Sequence, residues 1–323
     1  MIIKDLKNPT LKAIRDGYGQ GLVKAGQEDK QVVVLAADVT ESTRSHLFKQ
    51  AFPDRFFEIG VAEQNMMGIA AGLALSNKIP FVNSYAVFSP GRSWGQLRIS
   101  VCYQKANVKI AGHHTGIHAG PDGVTHQATE DIALTRCLPH LAIITPCDAL
   151  EAEKATLAAA QHQGPVYLRL SRNQTPVITT HSTPFTIGQA EIFRPGKDVT
   201  VVACGHLLYQ ALKAAEKLKK ENISLEVINN HTIKPLDTPT ILKSVQKTHS
   251  LVTVEDHQVM AGMGSAVIES LAQNYAAPVT EMIGIRDSFA ESGQPEELLK
   301  KYHLDTDAIN KAVKKVLARK KRL

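Results

Sequence analysis

The feature that most constrains this chain is a repeated alternation of short, uniformly apolar runs with longer amphipathic stretches. The runs Val32–Ala36, Pro80–Ser84, Val108–Ala111, Ala142–Thr145 and Val166–Leu170 are apolar at successive positions. Strands read this way when a sheet is covered on both faces. Helical stretches over Leu11–Ala25, Ala62–Ser76, Gln96–Gln104, Glu130–Cys137 and Ala149–Gln161 separate them. The pattern predicts a parallel α/β sheet. It lapses over 171–197, which is rich in Thr, Pro and Gly. It resumes with strands Val199–Ala203, Leu225–Ile228, Leu251–Val254 and Val279–Met282. Helices are expected there over Tyr209–Glu221, Thr238–Thr248, Ala261–Ala272, Pro295–Tyr302 and Thr306–Arg319. A chain of 323 residues exceeds one ordinary core. We therefore expect an α/β protein of two domains, 1–172 and a smaller 198–323, joined by a linker at 173–197.

The net charge is +6, but residues 314–323 alone carry six cations and no acid, so the rest of the chain is neutral. That distribution is a solvated basic helix end rather than a nucleic-acid footprint. No apolar run approaches membrane-spanning length, and the start Met1–Lys7 is too polar for a signal peptide. Cys102, Cys137, Cys147 and Cys204 are scattered, with no metal-ligand or CxxC spacing. They read as buried thiols of a cytoplasmic protein.

Chemistry concentrates at the predicted strand ends. The stretch Gly112–Gln127 holds four glycines and four histidines, combining close backbone approach with groups that exchange protons near neutral pH. His118 and His113 suit ordinary loop packing. His114, Asp122 and His126 sit in glycine-bracketed turns and suit hydroxyl binding or proton transfer. Glu63 opens a helix whose following residues are small or apolar. Either it caps that helix, or it is a buried acid awaiting a partner. The sequence offers no adjacent base, and a basic heterocycle would serve. Tyr85 and Phe88, three apart after a strand, either fill core or clamp a flat ring. Arg15, Arg92, Arg98 and Arg172 are surface cations or phosphate ligands.

Together these residues resemble the C-terminal part of the transketolase family, over essentially the whole chain. Gly60–Ala74 resembles the family's pyrimidine-binding helix. Ser84–Arg92 is similar to its STFxxF segment, and Gly112–Asp131 to its HxxxxxGxDGxTHQ loop. Ile144–Asp148, Leu170–Arg172, Thr232–Asp237 and Val254–His257 fit its remaining motifs. The resemblance implies a pyrimidine-binding domain followed by a transketolase C-terminal domain, with thiamine diphosphate as cofactor. It implies that Glu63 pairs with N1′ of the aminopyrimidine. Tyr85 and Phe88 would hold that ring, Tyr85 standing where phenylalanine is usual. Asp38 and Ser42 match the family's DxxxS, Asp38 on the cofactor side. Ser42, Arg15 and Arg172 would meet the substrate phosphate. His114 and His126 would contact donor hydroxyls or shuttle protons, and Asp122 would read a hydroxyl of the acceptor aldehyde.

No Gly-Asp-Gly occurs in the chain. In the family that motif and a following asparagine hold Mg²⁺ and the diphosphate. The resemblance thus implies the C-terminal subunit of a split transketolase. A separate N-terminal subunit would carry the diphosphate domain and hold Mg²⁺ (or Ca²⁺), in an α2β2 assembly inactive without it. Two enzymes stand as alternatives, a 1-deoxy-D-xylulose-5-phosphate synthase-like enzyme and the beta subunit of a 2-oxoacid dehydrogenase. An orphan subunit that only binds a partner is the non-enzymatic one.

Overall fold

Val32–Ala36 shows how the first sheet is built. Val33 and Leu35 pack into one hydrophobic cluster, Val32, Val34 and Ala36 into another. Successive side chains point to opposite faces, so both faces of this sheet are covered. The computed structural model describes residues 2, 3, 5–274 and 278–322. Its first sheet runs Thr232–Lys234, Ala142–Ile144, Val166–Leu170, Lys109–His113, Ile79–Tyr85, Val32–Ala36, Phe56–Glu58. Neighbours are parallel except at Thr232–Lys234, which lies antiparallel to Ala142–Ile144. Helices Ile14–Glu28 and Ala149–Gln161 cover one face through Ile14, Tyr18, Leu22, Ala152 and Ala155. At Gly17 they approach so closely that a Cβ would lie 1.8 Å from the Ala149 carbonyl oxygen. Met66, Met67, Ala70, Leu97 and Val101 cover the other face.

The second sheet runs Val279–Ile285, Ser250–Gln258, Val199–Ala203, Leu225–Asn229, Glu191–Arg194. It is parallel but for the last strand. Helices Leu207–Lys219 and Thr306–Lys320 pack on it. One cluster continues from Met66 and Leu97 of the first unit to Val202, Ile228, Met263 and Val267 of the second. The two units therefore share buried apolar surface.

Several expectations need correction. The first helix begins at Ile14, because Leu11–Ala13 pairs antiparallel with Gln174–Pro176. The stretch 173–197 is not bare linker: Gln174–Pro176 and Glu191–Arg194 are both strands. Trp94–Gln96 is α-helical, but Leu97–Tyr103 winds on as a wider π-helix. Helix Glu63–Leu75 is not buried all round. Gly68, Ile69, Gly72 and Leu75 are exposed, and Leu75 is 65% accessible. Only the side facing the sheet has apolar surface to meet within the chain. Cys137 is exposed, unlike the other three cysteines. The basic end is not simply solvated: Lys314 pairs with Glu221, and Lys315 and Arg319 both pair with Glu281.

A buried polar network joins the units. Arg169 Nε donates to Asp131 Oδ2 at 2.8 Å, and the Tyr167 hydroxyl donates to the same oxygen at 2.6 Å. Arg169 Nη2 reaches the Asp256 carbonyl at 2.8 Å. Arg169→Met would leave the Asp131 carboxylate buried without its cation. We expect a loss of about 3–5 kcal/mol, read from the urea midpoint. The double variant Asp131→Leu/Arg169→Met should recover much of it, since a matched apolar pair strands no charge.

Candidate active site

In an open parallel sheet, ligands collect beyond the carboxyl ends of the strands. Here those ends deliver Asp38 after Ala36, Tyr85, the His113–His114 pair, and Arg172 after Leu170.

Glu63 is the first residue of its helix and only 2% exposed. Ser84 Oγ donates to Oε1 at 3.2 Å, and Arg92 Nη1 lies 3.1 Å from Oε2. The base that the sequence did not offer nearby thus arrives from 29 residues downstream. Arg92 is half exposed and also lies 4.6 Å over the Phe88 ring. Its role here is to face an acid, and Arg98 is simply exposed.

The aromatic residues form one cluster with the histidines. Tyr85 stacks on His114 with centroids 4.0 Å apart and planes at 15°. His126 meets Tyr85 at 5.4 Å and Phe88 at 5.5 Å, both edge-on. His126 Nδ1 lies 2.9 Å from Thr125 Oγ1. His114 has a positive φ of 58° and is buried, and neither ring nitrogen has a hydrogen-bond partner among the described residues. Burial, followed by the nearby His113, Arg172, Arg15 and His126, pulls its pKa down to about 2. His114 is therefore neutral at physiological pH, with one donor and one acceptor nitrogen for a polar ligand.

Asp122 Oδ2 lies 3.5 Å from His114 Nδ1, and Asp122 Oδ1 lies 3.1 Å from Arg172 Nη1. Arg172 also donates to the Ala119 carbonyl at 3.1 Å. Arg15 Nη1 donates to the Ser42 carbonyl at 2.8 Å, while its buried Nε has no partner. Burial, then the neighbouring Arg44, lowers the Arg15 pKa. An anion would offset both effects. Asp38 is exposed, with φ 57°, and its N–H donates to Glu58 Oε1 at 2.7 Å.

The structure brings Tyr85, Phe88, His114, His126, Asp122 and Arg172 into one chain of contacts, with Arg15 close enough to act on His114 electrostatically. Glu63 adjoins it through Ser84 and Arg92. Asp38 and Ser42 stand on the neighbouring loop, and among the described residues their side chains form no hydrogen bond or ion pair with the cluster. His118 stacks on His206 at 4.2 Å, and His113 meets Tyr18 edge-on at 5.0 Å, both as packing. Glu58 went unnoticed in the sequence. It accepts from Asp38, from the Thr40 hydroxyl at 2.8 Å and from Gly60 N–H at 3.3 Å. It ties the Asp38 loop to the turn before Glu63. Its signal was an acid at the end of Phe56–Glu58, too short to read as a strand. Among the described residues, no three of His, Cys, Asp and Glu are grouped to hold a metal ion. Nor, among the described residues, is any helix long and apolar enough to cross a membrane.

Residues 11–177 match the transketolase pyrimidine-binding domain, and residues 188–309 match the transketolase C-terminal domain. The chain belongs to the transketolase family. A protein of Methanocaldococcus jannaschii named as a transketolase C-terminal section is 43% identical over 304 residues, 94% of this chain and 95% of that one. The 6-deoxy-6-sulfo-D-fructose transketolase subunit SqwH of Clostridium sp. is 39% identical, over 95% of each. Human transketolase is 38% identical over 95% of this chain, which spans only 49% of that protein. A solved split-gene transketolase, an inactive beta4 tetramer, superposes with a TM-score of 0.89. It is 43% identical, over 95% of this chain and 98% of that one. Transketolase of Campylobacter jejuni shares the fold at a TM-score of 0.78 and 20% identity, over 95% of this chain and 48% of that one. The family's domains imply dependence on thiamine diphosphate.

Proposed function

We propose that this transketolase-family chain is the C-terminal subunit of a split transketolase. It moves a two-carbon ketol unit from a ketose phosphate to an aldose phosphate, and a separate chain bearing the diphosphate domain completes its site. One observation carries the reading: a buried helix-start acid, an aromatic pair and a neutral histidine without a hydrogen bond on either ring nitrogen meet beside arginines at one sheet edge. The residues fit thiamine diphosphate. Glu63 presents a buried carboxylate, and Tyr85 and Phe88 offer aromatic rings beside it.

When bound, the cofactor supplies the carbon nucleophile on which a ketol unit can be carried. Glu63 would hold the aminopyrimidine nitrogen, in a pocket dry enough to strengthen that hydrogen bond. Arg92, half exposed, would yield its place on Glu63. Tyr85 and Phe88 would flank the ring, with Asp38 toward the cofactor. His114 and His126 would hold sugar hydroxyls and pass protons, and Asp122 would accept from an acceptor hydroxyl. Arg15, Arg172 and Ser42 would bind the terminal anion, for which the guanidinium fork is shaped. Mg²⁺ (or Ca²⁺) would be held by the partner, in an α2β2 assembly in the cytoplasm. The inactive beta4 tetramer of the split-gene relative supports a need for a second chain. The SqwH relative supports a sulfonate as an alternative terminal anion.

The test is co-expression with a chain carrying a Gly-Asp-Gly…Asn motif, followed by a ketol-transfer assay. Its two arms use sugar phosphates and 6-deoxy-6-sulfo-D-fructose. Turnover is expected only when both chains are present. A normal rate from this chain alone would overturn the split-site reading. Turnover confined to the sulfonated sugar would change the substrate class.

A further inference from the structure

The histidine loop belongs to the first unit, but a carboxylate of the second holds it. Asp256 lies on strand Ser250–Gln258 of the second sheet and is 2% exposed. Its Oδ1 accepts the Ile117 N–H at 3.0 Å, and its Oδ2 accepts the His118 N–H at 3.2 Å. Two successive backbone N–H groups closing on one carboxylate form an anion nest. Gly116 is shaped to it: φ is 69°, and a Cβ there would sit 2.1 Å from Asp256 Oδ2. Gly116 N–H also closes the loop base on the Ala128 carbonyl at 2.7 Å. The other face of the carboxylate meets His206, whose Nε2 is 3.5 Å from Oδ2 and whose ring stacks on His118. Further along the loop, Gln127 Nε2 donates to the Glu291 carbonyl at 3.0 Å.

We infer that Asp256 is a positioning residue: through it the C-terminal unit sets the geometry of the loop that carries His114, Asp122 and His126. His114 lies three residues before the nest, and Asp122 four residues after it. Among the described residues Ile117 N–H and His118 N–H have no other acceptor, so these two amides depend on one side chain. Arg169 ties the backbone of the same residue into the Asp131 network, which keeps the carboxylate from moving with the loop. The consequence for sugar binding rests on the function proposed above, whereas the consequence for the loop does not.

Two measurements separate them. Hydrogen–deuterium exchange on this chain reads the loop, and ketol-transfer kinetics of the two-chain complex read the sugar site. Asp256→Ala should speed exchange of amides in 114–127 about tenfold, the effect of stranding buried donors. Strands Lys109–His113 and Val199–Ala203 should stay protected. Asp256→Asn, which keeps one acceptor oxygen, should restore part of the protection. Gly116→Ala drives a methyl into the intact carboxylate and should reproduce the exchange signature from the other side. In the complex, Asp256→Ala and Gly116→Ala should lower kcat/KM for the sugar phosphates about 10–100-fold. Thiamine diphosphate affinity should change little, because Glu63 lies outside the loop. Unaltered loop exchange in both variants overturns the inference. So does protection lost evenly across the second sheet, which marks an acid that merely holds the fold. A wild-type complex without ketol transfer overturns the functional reading instead, and the exchange data alone then decide the role of Asp256.

Discussion

Glu63→Gln is expected to lower ketol transfer by the reconstituted complex about 10²–10⁴-fold, the range for losing a placed proton-transfer group. The fold should survive. Glutamine matches the shape of glutamate and still accepts from Ser84 Oγ, now 3.2 Å from Oε1. The charge it removes faces Arg92, which is 49% exposed, so water takes over the guanidinium and the ion pair is worth about 0–1 kcal/mol. A fall in kcat with a nearly unchanged melting temperature is therefore the signature. A structural cap would behave oppositely, losing about 1 kcal/mol of stability with turnover intact. Normal turnover by Glu63→Gln would remove Glu63 from the chemistry.

Acidification from pH 7 to pH 5.5 is expected to cost the chain about 3–4 kcal/mol of stability. Burial first of all lowers the pKa values of six histidines. His114 falls to about 2, His113, His118 and His206 to about 3, and His231 and His257 to about 4. Below about pH 6.5 the unfolded chain takes up protons at these positions and the native chain does not, so stability falls with pH. Each contributes roughly 1.2 kcal/mol of loss over this interval, or about 7 kcal/mol together. Burial also raises Glu151 to about 7 and Glu255 to about 8. These act in the opposite sense, since the native state gains protons first, by roughly 3–4 kcal/mol in total. Lys109, lowered by burial to about 7, adds less than about 1 kcal/mol to the loss, because the unfolded amine is already protonated at pH 7 and the native one is not fully so. The histidines win, leaving a net loss of about 3–4 kcal/mol out of a typical 5–15. Urea titrations at pH 7 and 5.5 check this. Equal midpoints would mean that the buried histidines find protons or partners in the native state.

Parts of this were readable beforehand. The strands Val32–Ala36, Val166–Leu170 and Val199–Ala203 form where apolar runs predicted them, and helix Ala149–Gln161 has its predicted bounds. All are long enough for a periodic signal and packed on both sides. Phe56–Glu58 and Thr232–Lys234 are three residues each, and too short to show any period. Thr232–Lys234 sits in the second half of the chain yet completes the first sheet, a pairing with no local cause. In the site, Glu63, Tyr85, Phe88, His114, Asp122 and His126 were legible because they stand at strand or helix ends among glycines and apolar residues. Arg92 as partner of Glu63, Glu58 under Asp38, and Asp256 behind the histidine loop were not. Each acts across a distance in the chain that carries no pattern.

Local order followed from hydrophobic periodicity, glycine placement and helix-start acids, because those forces act between residues a few positions apart. The motifs that connect this chain to its family lie in such segments. Which acid meets which base, which face of helix Glu63–Leu75 stays open, and how the second unit grips the first were decided only in three dimensions. Buried charges and backbone donors take the partner that packing delivers, and packing is settled by the whole fold at once.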